Sequence, residues 1–384
     1  MKSSYDIILY FSWVHCSHIH KYFALKEELN KHADTLLILD NGKFGVSEQQ
    51  IKPFNAFLED VVITDLNTAN QILFDCEPKI LVLGSDKQTL PWQRQINQQL
   101  KSTTIQLPHF VGVDIYYSGA DFLAVLGPVQ EAVNKNVVPS VEGVKNKINI
   151  NPWLYDLNER CLPNTFTREE FCKKYSLNPD KEIFIWLPDM QLSQKNLKCF
   201  GGGQPLHNLP GHTDTLKEAT SRYKDVCSIE NVVVKVHPNE FKSYNQTQDI
   251  PRWSYEISDA KAPVIDPVDT HWAYKYSDCG IGYTTSAGIE FGFFETPFIY
   301  LDSAAPQVDD GSHWDKVWMV DGKNYFSWVG HEYESHQLEE FLLSKDYKIT
   351  DSSEYQKHRE KLCFSPNEDF LKVLAEKILS THII

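Results

Sequence analysis

The sequence predicts an α/β protein made of two doubly wound halves, each a parallel sheet with helices on both faces. Three observations carry this. Short, β-rich apolar runs recur along the chain and are continuous rather than alternating, as in strands covered on both faces. Amphipathic stretches of helical period separate them. The pattern dissolves near residue 137 and restarts near residue 168, which divides the 384 residues into two similar series.

In the first series, Ile7 to Phe11, Thr35 to Leu39, Val61 to Thr64, Lys79 to Leu83 and Thr104 to Leu107 read as strands. Between the first two, KYFALKEELNK places Tyr22, Leu25 and Leu29 on one helical face. From Val137 to about Pro163 prolines replace periodicity, and the domain junction is expected there. The second series opens with the helix REEFCKKYSL and the strand EIFIWLP. It continues through the helix Thr215 to Val226, the strand NVVVKVHP, a short strand at Val264-Ile265, the helix near DTHWAYKYS, the strand CGIGY, the helix AGIEFGFFE and the strand PFIYLD. Ser365 with Glu368 forms a capping box with Pro366 at the first helical position, so a last helix is expected from Pro366 to Leu379. The expected domains are 1–150, 165–350 and a terminal segment 351–384 able to pack back on the first.

Composition limits the partners. There are 52 acidic and 37 basic side chains, a formal net charge of -15. Nucleic acid and anionic membrane are poor partners for such a chain, because phosphate neutralisation needs clustered Lys and Arg. With 42% hydrophobic and 12% aromatic residues the chain can build packed cores. No apolar run reaches the length of a membrane span. Eight scattered cysteines without a C-x-x-C pair fit a reducing cytoplasm.

In open parallel sheets, ligands bind outside the carboxyl ends of strands, at a topological switch point. Two strand ends carry useful groups. In VVVKVHP, Pro238 holds the preceding His237 extended at the strand tip, where an imidazole can donate to phosphate oxygens. In GYTTSAGIEFGFFETPFIYLD, the hydroxyls of Thr284, Thr285 and Ser286 stand between a strand and a helix start, a place suited to phosphate. Gly288 would let a ligand approach closely, and Glu290, four residues beyond Ser286, could reach a ribose hydroxyl. Each element alone also has a plain structural use, as a loop contact or a hydroxyl cap.

Together they resemble the C-terminal domain of GT-B-fold glycosyltransferases, especially the group using cytidine-activated donors: bacterial sialyl- and Kdo-transferases and CDP-glycerol glycerophosphotransferases. The matching features are His237-Pro238, then Thr284-Thr285-Ser286, Glu290 and the strand Pro297 to Leu301, with EIFIWLPDMQ like that domain's first strand. The resemblance spans roughly Glu182 to Leu301. It implies two Rossmann-like domains facing a cleft, a nucleotide-activated sugar donor, and phosphate contacts from His237, Thr285, Ser286 and Thr284. UDP-GlcNAc 2-epimerases share the fold, though TTSAGIE matches their glycine-bearing segment only loosely.

The first half offers three candidates for the base that an inverting transfer needs. QLPHFVGVD is similar to the His-Gly loop of CDP-glycerol transferases, which points to His109, although Phe110 replaces the glycine. Asp114 on the same loop and Asp86 after ILVLG are the others. SWVHCSHIHKYF brings His15 and His18 near the first strand's end, and these are expected to line an acceptor site. No matching ligand spacing supports a metal there. Gly201-Gly202-Gly203 lacks the Lys-Ser/Thr of a nucleotide-triphosphate loop. The stretch Asp302 to Trp328, rich in Asp, Gly and Trp, suits stacking on sugar rings or ordinary packing.

The sequence thus points to a GT-B glycosyltransferase of polysaccharide biosynthesis, needing neither metal nor cofactor, that moves a sugar to a glycan or small-molecule hydroxyl. Three alternatives stay open: a CDP-glycerol-type polyol-phosphate transferase, a sugar-nucleotide epimerase, and a non-catalytic sugar- or nucleotide-binding protein.

Overall fold

The structure is a computed structural model, and it describes residues 2, 4–12, 14, 16–41, 46, 48–84, 89–108, 117–131, 146–187, 231–235, 262–282, 287–301, 319–320, 323–324, 330–333, 344–345 and 347–382. The chain divides into two compact units, one of Met1–Pro163 with Arg359–Ile384 and one of Asn164–His358. No helix among the described residues is long and apolar enough to cross a membrane.

Unit 1 is a seven-stranded sheet. Its strands are β1 (Ile7–Phe11), β2 (Thr35–Asp40), β3 (Val61–Thr64), β4 (Ile80–Gly84), β5 (Thr103–Leu107), β6 (Phe122–Val125) and β7 (Lys147–Asn149), in the order β3-β2-β1-β4-β5-β6-β7. Every pairing is parallel. β1 lies between β2 and β4, and all five of its residues are buried, which is why IILYF carries no alternation. The helices α1 (Ile19–Asn30), α2 (Glu48–Ile51), α3 (Leu66–Cys76) and α4 (Leu90–Gln99) connect successive strands. α3 begins where Asp65 accepts the Thr68 N–H at 2.9 Å and ends at Glu77, which takes a left-handed φ of 42°.

The division between the units, at Pro163 and Asn164, falls at the end of the stretch in which the sequence pattern dissolves. Residues 146–163 belong to unit 1: β7 is an edge strand of three residues, too short to show a period, and Trp153, Leu154 and Tyr155 are buried. Trp153 packs against Tyr22 at 5.2 Å and Phe11 at 5.9 Å between ring centroids, and its indole N–H donates to the Pro108 carbonyl.

Unit 2 has a five-stranded parallel sheet of β8 (Phe184–Leu187), β9 (Val232–Val234), β10 (Cys279–Gly282), β11 (Phe298–Leu301) and β14 (Gly330–Tyr333), ordered β14-β11-β10-β8-β9. Between β11 and β14 in sequence, β12 (Met319–Val320) and β13 (Lys323–Asn324) form a small antiparallel pair. The Val264-Ile265 segment adds a parallel bridge to Val234. Its helices are α5 (Arg168–Lys174), α6 (Thr270–Tyr276) and α7 (Ala287–Phe293), followed by α8 (Ser353–Leu362), within which the chain passes from unit 2 to unit 1. α5 starts with a capping box between Thr167 and Glu170. The helix expected at Thr215 to Val226 lies outside the described residues.

The last helix, α9 (Phe370–Ser380), starts four residues later than the Ser365 capping box implies. Ser365 is engaged elsewhere: its N–H donates to the Asn151 side-chain carbonyl at 3.0 Å, and its own carbonyl accepts from the Asn151 amide at 2.8 Å. Asp369 caps the helix instead, accepting the Lys372 N–H at 2.9 Å. Phe370, Leu371, Leu374 and Ile378 face inward, and α9 packs on α1 of the same unit. Full burial of each such side chain contributes about 1.5–3 kcal/mol.

Glu28 on α1 ties this region together. It accepts from Lys31 at 2.6 Å and from Arg160, whose guanidinium also lies 3.6 Å from Asp369. Burial pushes the Glu28 carboxyl up, but the bonds from Lys31 and Arg160 outweigh it and hold the group below its ordinary 4.5. Because the folded value is depressed, the stabilisation is present above pH 4.5 and is lost as pH falls through the lower folded value. Glu28→Gln is therefore expected to lower the urea midpoint at pH 7, and the gap to wild type should close on acidification below pH 4.5. A gap independent of pH would contradict this role.

Candidate functional site

The strand orders locate a switch point in each unit. In unit 2 the chain leaves β8 for β9 on one side and then reaches β10 on the other, so the crevice rule singles out the carboxyl ends of β8 and β10. Those ends are level: Leu187 pairs with Gly282, and Trp186 pairs with both Ile281 and Val234. Gly282 is needed for the close approach, since a Cβ there would lie 3.0 Å from both Leu187 Cβ and the Leu187 carbonyl oxygen. The β9 end stands two strand spacings from β10, about 10 Å. Its pairing continues one residue further, with the Lys235 N–H donating to the Trp186 carbonyl at 2.9 Å.

The segment bearing His237 follows β9, and Thr284-Thr285-Ser286 lie in sequence between β10 and α7. His237, Thr284, Thr285 and Ser286 themselves lie outside the described residues. The framework that receives them is described. α7 is buried along its whole length. Gly288 serves packing rather than ligand access: a Cβ on it would meet the Phe298 ring at 3.0 Å, so the glycine lets the helix settle onto β11. Phe291 in turn fills the space left by Gly280, whose Cβ would lie 2.5 Å from that ring. Glu290 sits in the first turn of α7 and is 8% exposed.

The outer flank of β9 is anchored by a polar cluster. Asp269, fully buried at the start of α6, accepts from Lys174 and from the Tyr175 hydroxyl at 2.6 Å. The Tyr175 oxygen also accepts the Asp266 N–H at 3.1 Å. Burial and the Asp269 carboxylate push the Tyr175 phenol far up, so it remains a donor. Burial likewise raises Asp266. The 264–269 segment is thereby fixed beside β9.

In unit 1 the reversal falls between β1 and β4. Beyond these ends Ser12 Oγ and Thr89 Oγ1 lie 3.2 Å apart, and the Gln93 amide donates to the Gly84 carbonyl at 2.8 Å and to Thr89 Oγ1 at 2.9 Å. One buried amide thus holds Gly84 and Thr89, the residues on either side of positions 85–88. The sequence reading missed Gln93, although Thr89 and Gln93 four apart at a helix start is the spacing that brings such side chains together. His18 ends the turn Cys16–His18 that leads into α1 and is 6% exposed. His15, Asp86, His109 and Asp114 lie outside the described residues. Among the described residues no group of three or more His, Cys, Asp or Glu side chains is disposed to hold a metal ion.

No family model matches the chain, and no curated protein matches it in sequence. Solved structures do match its fold. The wall teichoic acid polymerase TagF superposes with a TM-score of 0.56 at 13% identity, covering 98% of this chain and 89% of that one. The UDP-GlcNAc 2-epimerase from Methanocaldococcus jannaschii gives 0.55 at 12% identity, covering 98% of both chains. Another UDP-N-acetylglucosamine 2-epimerase gives 0.53 at 13%, covering 99% and 95%. The fold is the GT-B fold that these enzymes share.

Gln93→Leu should leave the buried Gly84 carbonyl without its donor and cost about 1–3 kcal/mol, read as a lower urea midpoint. An unchanged midpoint would mean that Gln93 does not hold Gly84 and Thr89.

Proposed function

We propose that this chain is a metal-independent glycosyltransferase that moves a sugar from a nucleotide-activated donor to the hydroxyl of a glycan or small-molecule acceptor. The observation that carries the reading is the unit 2 switch point. The two segments with phosphate-binding chemistry, His237-Pro238 and Thr284-Thr285-Ser286, follow strands whose carboxyl ends stand level on one sheet edge. Likeness in fold to UDP-GlcNAc 2-epimerases, whose names carry a nucleotide sugar, supports the same reading.

In this reading unit 2 binds the donor. His237 and the hydroxyls of Thr284, Thr285 and Ser286 hold its phosphates, and Glu290 accepts from a ribose hydroxyl. α7 has only seven residues, so its end contributes a modest local field and the side chains and turn amides supply most of the binding. Unit 1 supplies the acceptor contacts, with His15 and His18, and the base from His109, Asp114 or Asp86. The acceptor oxygen attacks the anomeric carbon, the carbon–oxygen bond to phosphate breaks, and the acceptor proton passes to the base. The electron pair leaves with the phosphate, where His237 stabilises the added charge. A net charge of -15 does not oppose an anionic donor, because a few directed N–H and O–H donors suffice locally.

A second reading has its own support: a structure of a TagF variant is described with CDPG, and in a polyol-phosphate transferase the acceptor would attack phosphorus instead.

Titration calorimetry of CMP, CDP, UDP and GDP against wild type and His237→Ala, followed by a donor-consumption assay with and without acceptor, tests the proposal. One nucleotide should bind wild type. His237→Ala should weaken that binding about tenfold or more, the loss of a hydrogen bond to a charged group, and abolish transfer while the thermal midpoint stays unchanged. Full activity in the variant overturns the assignment. Donor consumption without acceptor favours the epimerase.

A further inference from the structure

α7 is the helix that the proposed donor turn runs into, and seven residues are too few to hold themselves in place by backbone hydrogen bonds alone. Its position is a matter of packing. Two of its seats face the sheet: Gly288 lies on Phe298, and Phe291 occupies the space left by Gly280. These set its distance from the strands. The third seat comes from the side, from α8.

His358 of α8 is 4% exposed and lies across Gly292 of α7. A Cβ on Gly292 would come within 2.5 Å of His358 Nε2, so only glycine admits the imidazole there. The same Nε2 lies 3.4 Å from the Ile289 carbonyl, and the ring meets Phe293 edge-on at 5.8 Å. Sliding or rotating α7 would therefore drive residue 289 or 292 into the ring.

We infer that His358 is a positioning residue for the donor site: seated in the notch of Gly292, it sets the axial position and rotation of α7, the helix that directly follows residues 284–286 in the chain. The inference rests on the proposed role of those residues. Densely packed interiors transmit shifts of this kind, and binding constellations tolerate misplacement of only about 0.5 Å.

The test is nucleotide affinity in Gly292→Ala, His358→Ala and the double variant, using whichever of CDP, UDP and GDP binds wild type best. Gly292→Ala should weaken binding about tenfold or more, because the methyl group displaces α7 from the ring. His358→Ala should weaken it less. The double variant should recover most of the affinity lost in Gly292→Ala, since removing the imidazole makes room for the methyl group, even where its thermal midpoint stays below wild type. If Gly292→Ala does not fold, His358→Ala against His358→Gln decides, with Gln, which can still donate toward the Ile289 carbonyl, expected to restore binding. Folded variants that bind as wild type does, or a double variant whose losses simply add, overturn the inference while leaving the donor assignment standing. Absence of nucleotide binding to wild type overturns both.

Discussion

Every strand pairing in the two large sheets is parallel, and most of the molecule follows from that. A parallel neighbour is reached only by a crossover, and the strands so covered on both faces are buried along their whole length, as in β1, β4 and β10. The same rule puts all carboxyl ends of a sheet on one edge. The loops leaving that edge are then free to vary in chemistry, while those at the other edge only reconnect the chain. Arg168 illustrates the second kind, donating to the carbonyls of Tyr276 and Lys181 and to Asp278 Oδ2.

Where the connections change direction, the two units use different means to hold the neighbouring backbone. Unit 1 uses polar side chains, with the Gln93 amide bridging Gly84 and Thr89. Unit 2 uses glycines against aromatic rings, at Gly280, Gly282, Gly288 and Gly292, and this brings a short helix and two strand ends into close contact. Its polar cluster, the buried Asp269 and Tyr175 with the exposed Lys174, stands apart at the flank of β9. Desolvation raises the thiols of Cys161, Cys172, Cys279 and Cys363, with Cys363 pushed up to about 12, which keeps them protonated.

The fold was legible in the sequence because continuous apolar strands and amphipathic helices have distinct periods. The boundaries were less so. Prolines between residues 137 and 163 look like a linker, yet Trp153 anchors the described part of that segment in unit 1 through rings more than a hundred residues away, at Phe11 and Tyr22. Ser365 has the right local spacing for a cap, but Asn151 occupies its backbone. Local signals lose to such distant contacts, which no window of sequence contains. Gly288 and His358 fall in the same class: the first reads as ligand access and the second carries no motif, and only the packing of α7 against β11 and α8 gives them meaning. The motif residues His237 and Thr284 to Ser286 were found by spacing and residue type, and their assignment rests on chemistry and on the strand ends that precede them.

The central claim is that the carboxyl edge of the unit 2 sheet receives a nucleotide. Hydrogen–deuterium exchange, compared without nucleotide and with saturating CDP, UDP or GDP, measures this directly along the chain. The account predicts slowed exchange in peptides covering 232–240 and 282–292, with the amino-terminal edge of the same sheet unchanged. Protection confined to unit 1, or absent from both of those segments while nucleotide is bound, would contradict it.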